Sequence, residues 1–261
     1  MQQNWRQRRR SSLGAGLPVN LGIDGASCIA EAGVRMYQTH PSAQLCELFK
    51  AKPWQGANPW QAEFLFVGLD ANYAADVEAQ PIFDALLRYH EDGPALWRVH
   101  GVHHPFLLPA YRGDGRRYHR TFAKIGFTAQ HAERVSFIEL MHLPTVGRNV
   151  LHGSDLDAVH LQRLREMILH GQARHVFLPA GVQRLLMATG KFPELRPSTM
   201  TSGTLPVLHD DGQRRLYRHL HFSNYGKFEA QLRAEAEAIR ALIGATLNDA
   251  LQLHQTTPDA T

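Results

Sequence analysis

Phe64-Leu65-Phe66-Val67 is an unbroken run of large apolar side chains, and Gly68 ends it. A strand with one wet face alternates apolar and polar residues. A run without alternation fits a strand covered on both faces, which is the condition of the inner strands of a parallel sheet. Residues 134–140 and 175–178 carry further core-strand runs. Helical spacing appears over residues 42–50, 81–89, 118–125, 182–188 and 228–247. Ser154, with Asp157 three residues on, offers helix-start chemistry for residues 155–169, and Gly171 ends that segment. Residues 205–208 and 214–221 flank Asp210-Asp211-Gly212, a hairpin signal. Residues 52–60, 100–117 and 144–153 read as loops. The alternation of strand and helix predicts an α/β fold, a three-layer sandwich with a central, mainly parallel sheet flanked by helices.

The chain has 261 residues, the size of one domain. Residues 1–20 carry Arg6, Arg8, Arg9 and Arg10 without the apolar stretch of a signal peptide, and are read as a flexible basic arm. Residues 21–250 are read as a single domain and 251–261 as a polar tail. No apolar run reaches membrane-spanning length. Cys28 and Cys46 are too few for a disulfide framework or for a cluster held by four cysteines. The expectation is therefore a cytoplasmic monomer with no membrane partner. The net charge of +4 permits a phosphate-rich partner without requiring one.

In open α/β sheets, sites gather beyond the carboxyl ends of the strands. Residues 68–73, 139–145 and 221–225 all follow predicted strands and can share one cleft. Gly68-Leu69-Asp70-Ala71-Asn72-Tyr73 resembles the first motif of the uracil-DNA glycosylase superfamily, where a Gly-x-Asp/Asn turn presents the residue that positions or activates water. Phe137-Ile138-Glu139-Leu140-Met141-His142-Leu143-Pro144-Thr145 is similar to the middle segment of its mismatch-specific branch. His175-Val176-Phe177-Leu178-Pro179-Ala180-Gly181 resembles the strand-turn-helix that follows, and His221-Phe222-Ser223-Asn224-Tyr225-Gly226 the second signature loop. The order agrees over residues 64–226.

The resemblance implies a monofunctional DNA glycosylase that flips a base from DNA and hydrolyses its N-glycosidic bond, with DNA as partner and no metal or other cofactor. Asp70 would hold water beneath the sugar and offset its developing positive charge; its structural alternative is a turn or cap carboxylate. His221 would donate to the oxygen of the leaving base, through one N–H of a neutral ring, whereas His219 should point to the opposite face of the strand. Ser223 would bind a phosphate, Lys227 lies beside that loop, and Tyr225 occupies the place of the wedge that fills the vacated stack.

Gly68, Asn72, Tyr73 and Glu139 would line the base pocket. Two of these depart from the uracil-reading pattern. Glu139 stands where the uracil enzymes have an Asn, and suits a base with an exocyclic amino group. Burial would raise its pKa and make it a donor as well. Its alternatives are to face away or to tie down an arginine. Asn72 replaces the Tyr that guards carbon-5 of the pyrimidine, with Tyr73 next to it as a candidate stacking ring. Both departures favour a modified cytosine as substrate, in repair or in defence against modified foreign DNA. Uracil or mismatch repair is the alternative within the family. Outside it stand a metal-dependent hydrolase using His100, His103 and His104 with Asp114, and a catalytically silent DNA-binding module.

Overall fold

The computed structural model describes residues 38–147, 151–195 and 204–255, with backbone alone over 246–255. These residues lie within one compact unit, Arg35–Thr261; the basic arm, residues 1–20, lies outside the described residues. A six-stranded sheet forms the centre. Its parallel strands are β3 (Phe64–Gly68), β5 (Val135–Glu139), β7 (His175–Pro179) and β9 (Arg215–His219), in the spatial order β5-β3-β7-β9. Antiparallel edges are added by β2 (Trp54–Gly56) beside β5 and β8 (Val207–Asp210) beside β9. A small second sheet joins β1 (Gln38–Thr39), β6 (Thr145–Val146) and β4 (Asn72–Tyr73).

Each inner strand sorts its side chains by shape. Leu65 and Val67 of β3, Ile138 of β5 and Val176 and Leu178 of β7 face an aliphatic layer. That layer is closed by α5 (Ala158–His170), through Leu161, Leu164 and Met167, and by α6 (Ala180–Ala188), through Val182 and Leu186. Phe64, Phe66, Phe137, Phe177 and Tyr217 face the other side, where α3 (Gly93–His100), α4 (Arg116–Ala123) and α7 (Glu229–Gln255) supply Trp97, Phe122, Leu232 and Ile239. The expected three-layer α/β sandwich is therefore the observed one. A third apolar cluster sits under α1 (Ala43–Ala51) and α2 (Phe83–Glu91) and takes in Tyr73, Phe106 and Tyr111.

The aromatic layer contains an in-register row across the parallel strands. Phe66 is directly opposite both Phe137 and Phe177, and Phe177 is opposite Tyr217. The rings lie nearly parallel, with Phe66 and Phe177 at 4.7 Å and Phe177 and Tyr217 at 5.3 Å. Side chains alternate faces, so a one-residue slip of any of these strands would move its ring into the aliphatic layer.

Several boundaries differ from the sequence reading. Asp157, not Ser154, caps α5, accepting from the His160 N–H at 2.7 Å, so the helix starts at Ala158. Part of the stretch read as a loop over 52–60 pairs as β2, and α3 is an additional helix capped by Asp92 with Pro94 in its first turn. The hairpin of β8 and β9 turns with Gly212 at φ +84°, a left-handed conformation that glycine adopts without strain. Arg214 in that hairpin donates to the carbonyls of Leu169, Gly171 and Ala173, closing the exposed C-terminal end of α5. The final helix runs to Gln255, into the stretch read as tail.

Phe66 is 2% exposed and stacks on neighbours on both sides. Phe66→Ala should cost about 3–5 kcal/mol, the range for truncating a buried aromatic. Denaturant unfolding checks this, and Phe66→Leu should recover more than half of the loss.

Candidate active site

Three of the sequence-predicted segments meet at one end of the sheet. The register places Gly68 opposite Glu139 at the carboxyl ends of β3 and β5, and Pro179 opposite His219 at the ends of β7 and β9. The chain then turns out of the sheet at Asp70 and at His221.

Asp70 is held by its own loop and by the Pro-Thr turn. The Thr145 hydroxyl donates to Asp70 Oδ2, and Asn72 Nδ2 donates to the same oxygen at 3.3 Å. Asn72 Nδ2 also reaches Thr145 Oγ1 at 3.1 Å and the Gly147 carbonyl at 2.7 Å. These bonds converge on one carboxylate oxygen, so Oδ1 is the oxygen left to meet a water or substrate. Thr145 is fully buried and pairs in register with Asn72 across β4 and β6. Its hydroxyl is thus a positioning group for Asp70, a role that the sequence reading did not assign. Asn72 does likewise: its amide braces Asp70, and the expected place for it in a base pocket is replaced by this network.

Glu139 ends β5. An added Cβ on Gly68 would sit 1.9 Å from Glu139 Oε2, so the carboxyl packs directly on the Gly68 backbone, a place it would have to leave beside any larger residue. Oε2 is buried with no hydrogen-bond partner. Burial first, and then the negative charge of Asp70, hold the Glu139 pKa well above the ordinary carboxylate value. The group neither faces away into solvent nor ties down an arginine. Its Oε2 is a buried carboxyl oxygen in need of a partner. His160 contacts the Glu139 carbonyl oxygen through Nε2 at 2.8 Å and anchors the strand end.

His221 closes the third side. Its Nδ1 accepts from the Ser223 backbone N–H at 3.3 Å. A neutral ring with that acceptor carries its proton on Nε2, so the free nitrogen is a donor. Burial lowers the His221 pKa, with Asp70 acting weakly in the opposite sense, so the neutral form is the one present. Phe222 points the other way, 2% exposed, into the aromatic layer near Phe66 and Tyr118. His219 is buried beside Phe177 and bonded at Nδ1 to the Leu220 carbonyl. The Tyr118 ring lies 5.3 Å from His221, and burial, followed by the charge of Glu139, raises its phenol pKa. Tyr118 therefore belongs to this cluster, although only its neighbourhood was legible from the sequence.

Tyr73 has a different place. Its ring is buried beside Phe49 and Phe106, and its hydroxyl accepts from Gln55 Nε2 at 2.6 Å. It supports β4 from below and offers no open face for stacking. Tyr225 is the reverse case, 65% exposed, with the Arg117 guanidinium 4.5 Å over its ring. Ser223 and Lys227 are exposed on the same loop.

The histidines offered as metal ligands are arranged for packing. His104 stacks on His119 at 3.7 Å, its Nδ1 accepts from the Phe106 N–H, and His103 bonds His119 at 3.2 Å. Burial lowers the His103 pKa to about 3. His100 is exposed at the end of α3. Among the described residues, no group of three or more His, Cys, Asp or Glu side chains could hold a metal ion. An open surface hollow of about 800 Å³, bordered by Trp54, Trp60, Val159 and Arg163, shares no residue with the Asp70 cluster.

The chain matches no family model and has no significant match among curated proteins. Chemically, the cluster offers a braced carboxyl at Asp70, an imidazole donor at His221 and, at Glu139, a carboxyl whose pKa is raised.

The raised pKa of Glu139 has a measurable consequence. An acid whose folded pKa exceeds its unfolded value stabilises fully below the unfolded pKa, and that contribution is lost as pH rises through the folded one. The stability of wild type relative to Glu139→Gln should therefore fall as pH rises from about 4.5 upward. Urea midpoints of both proteins across pH check this, and a constant difference would mean that Glu139 ionises as freely as in the unfolded chain.

Proposed function

We propose that the protein is a monofunctional DNA glycosylase acting on a flipped base, with a modified cytosine as the favoured substrate. The observation that carries this reading is the convergence on one carboxylate, in which Thr145 and Asn72 occupy Asp70 Oδ2 and leave Oδ1 toward the cleft shared with His221. The reaction needs two opposite charges stabilised at once. As the bond from the sugar's anomeric carbon to the base nitrogen breaks, its electron pair leaves with the base, and the sugar turns cationic. Asp70 offsets the cation and holds the attacking water. The water oxygen bonds to the anomeric carbon, and its proton passes to the carboxylate or to solvent. The Nε2–H of His221 supports negative charge on the base oxygen, as an oxyanion-hole donor does.

The choice of base rests on Glu139. As a neutral acid it can accept from an exocyclic amine through its carbonyl oxygen and donate through its hydroxyl to the adjacent ring nitrogen, which is the pairing edge of cytosine. Protonation also lets it satisfy the edge of uracil, so uracil or mismatch excision is the second reading. Tolerance of a carbon-5 substituent is supported by the two residues that leave that space: Asn72 is drawn to Thr145 and Gly147, and Tyr73 is folded into the core. Tyr225 is the wedge and Ser223 and Lys227 are phosphate contacts in this reading, with DNA repair or defence against modified foreign DNA as the setting. Against the metal-hydrolase alternative stand the mutual contacts of His103, His104 and His119. A silent binding module would have no use for a carboxylate braced in this way.

The test is base release from a panel of oligonucleotides, each with one modified or deaminated base. Wild type should release a base, and Asp70→Asn should slow single-turnover release at least about a hundredfold while DNA affinity stays within a few-fold. No release from any member of the panel, or an unchanged rate in Asp70→Asn, would overturn the reading.

A further inference from the structure

The outer face of α4 carries arginines without a carboxylate partner among the described residues. Its inner face, Tyr118, His119 and Phe122, packs on the cleft and the aromatic layer. Arg116, Arg117 and Arg120 lie on the same short helix, and Arg112 precedes it in the loop, its Nη1 donating to the Pro109 and Tyr111 carbonyls. Arg116 and Arg120 are four residues apart, a spacing at which like charges repel. The Arg116 pKa is lowered by desolvation and then by Arg120 and Arg112, which places Arg116 in the field of both. Arg98, Arg134, Arg165 and Arg215 each have a carboxylate partner, whereas Arg112, Arg116, Arg117 and Arg120 take part in no ion pair among the described residues. Arg116 Nε is buried without any partner.

We propose that Arg112, Arg116 and Arg120 form a grip for the backbone phosphates of the DNA strand entering the cleft, with Arg117 bracing the wedge Tyr225 beside it. Repulsion of this kind is relieved when an anion sits between the cations, and the planar fork of arginine fits phosphate oxygens. The place agrees with the charge: α4 contributes Tyr118 beside His221, and its Arg117 lies 4.5 Å over the exposed ring of Tyr225. Cations next to an exposed aromatic ring are the combination that tracks a nucleic-acid strand. The proposal rests on the glycosylase reading for its ligand, DNA; its residues follow from charge and contact alone.

The experiment measures binding of an unmodified duplex oligonucleotide by fluorescence anisotropy over a range of salt concentrations. Each phosphate contact adds about 0.9 to the steepness of log affinity against log salt. The triple variant Arg112→Gln/Arg116→Gln/Arg120→Gln should lower that slope by about 2–3 and weaken binding at low salt by about a hundredfold. The corresponding triple Lys variant should keep most of the slope. Arg163→Gln/Arg184→Gln, which removes exposed cations from α5 and α6, should leave it unchanged. Thermal unfolding checks the fold of each variant; should the triple be destabilised, Arg120→Gln alone should still lower the slope by about 1. An unchanged slope in the glutamine variants, or an equal fall in the α5 and α6 control, overturns the proposal. A lowered slope in a protein that releases no base from any oligonucleotide would overturn the glycosylase reading and leave the phosphate grip standing. Base release with an unchanged slope would do the reverse.

Discussion

The row of rings Phe137, Phe66, Phe177 and Tyr217 is the constraint on which the rest of the molecule depends. These four residues lie opposite one another on four adjacent parallel strands, with the rings stacked across the sheet. Parallel strands make no local turn with their neighbours, so nothing in the chain between them fixes their alignment. The aromatic row does so by area and by shape, because a slipped strand would bring an aliphatic side chain into a stack of rings and a ring into the aliphatic layer. Phe122, Phe127 and Phe222 then fit edge-on or tilted around Phe66, and so the helices and the signature loop are seated by the same residues.

Fixing the register also fixes what stands at the strand ends. Gly68 meets Glu139 because Phe66 meets Phe137 two residues earlier. With glycine on one strand, the carboxyl of the other can lie on bare backbone, a position closed to it beside any larger residue. Phe222, held in the aromatic layer within the turn that the Asn224 N–H closes on the His221 carbonyl, leaves the neighbouring His221 at the cleft with Asp70. Packing in the core and chemistry at the rim are in this way consequences of one another.

What was legible in the sequence follows from how local each signal is. The runs at Phe64, Val135 and His175 announce buried strands because burial on both faces leaves no polar alternation. The short edge strand Trp54–Gly56 has no such run, since its pairing with Ser136, Phe137 and Ile138 is made by backbone atoms far along the chain. Helix α3 was hidden by Gly93 and Pro94, which read as a break although proline fits a first helical turn. Of the site, Asp70, Glu139 and His221 were visible as polar residues at strand ends. The bracing role of Asn72 was not legible, because the Thr145 and Gly147 atoms that claim its amide lie more than 70 residues away. Tyr73 was misplaced for the same reason, since its partner Gln55 belongs to the strand that the sequence did not show.

The two acids at the strand ends stand in opposite hydrogen-bonding surroundings. Asp70 receives donors from Thr145 and Asn72 at one carboxyl oxygen. Glu139 receives none at Oε2, is shut from water against Gly68, and feels the charge of Asp70. Burial and the charge of Asp70 both oppose ionisation of Glu139, and no donor at Oε2 offsets them. In the glycosylase reading proposed above, the braced carboxyl would face the sugar and the unpartnered one the base edge, and both placements arise from the same asymmetry. That asymmetry is set by Thr145 and Asn72, which donate to one acid and not to the other.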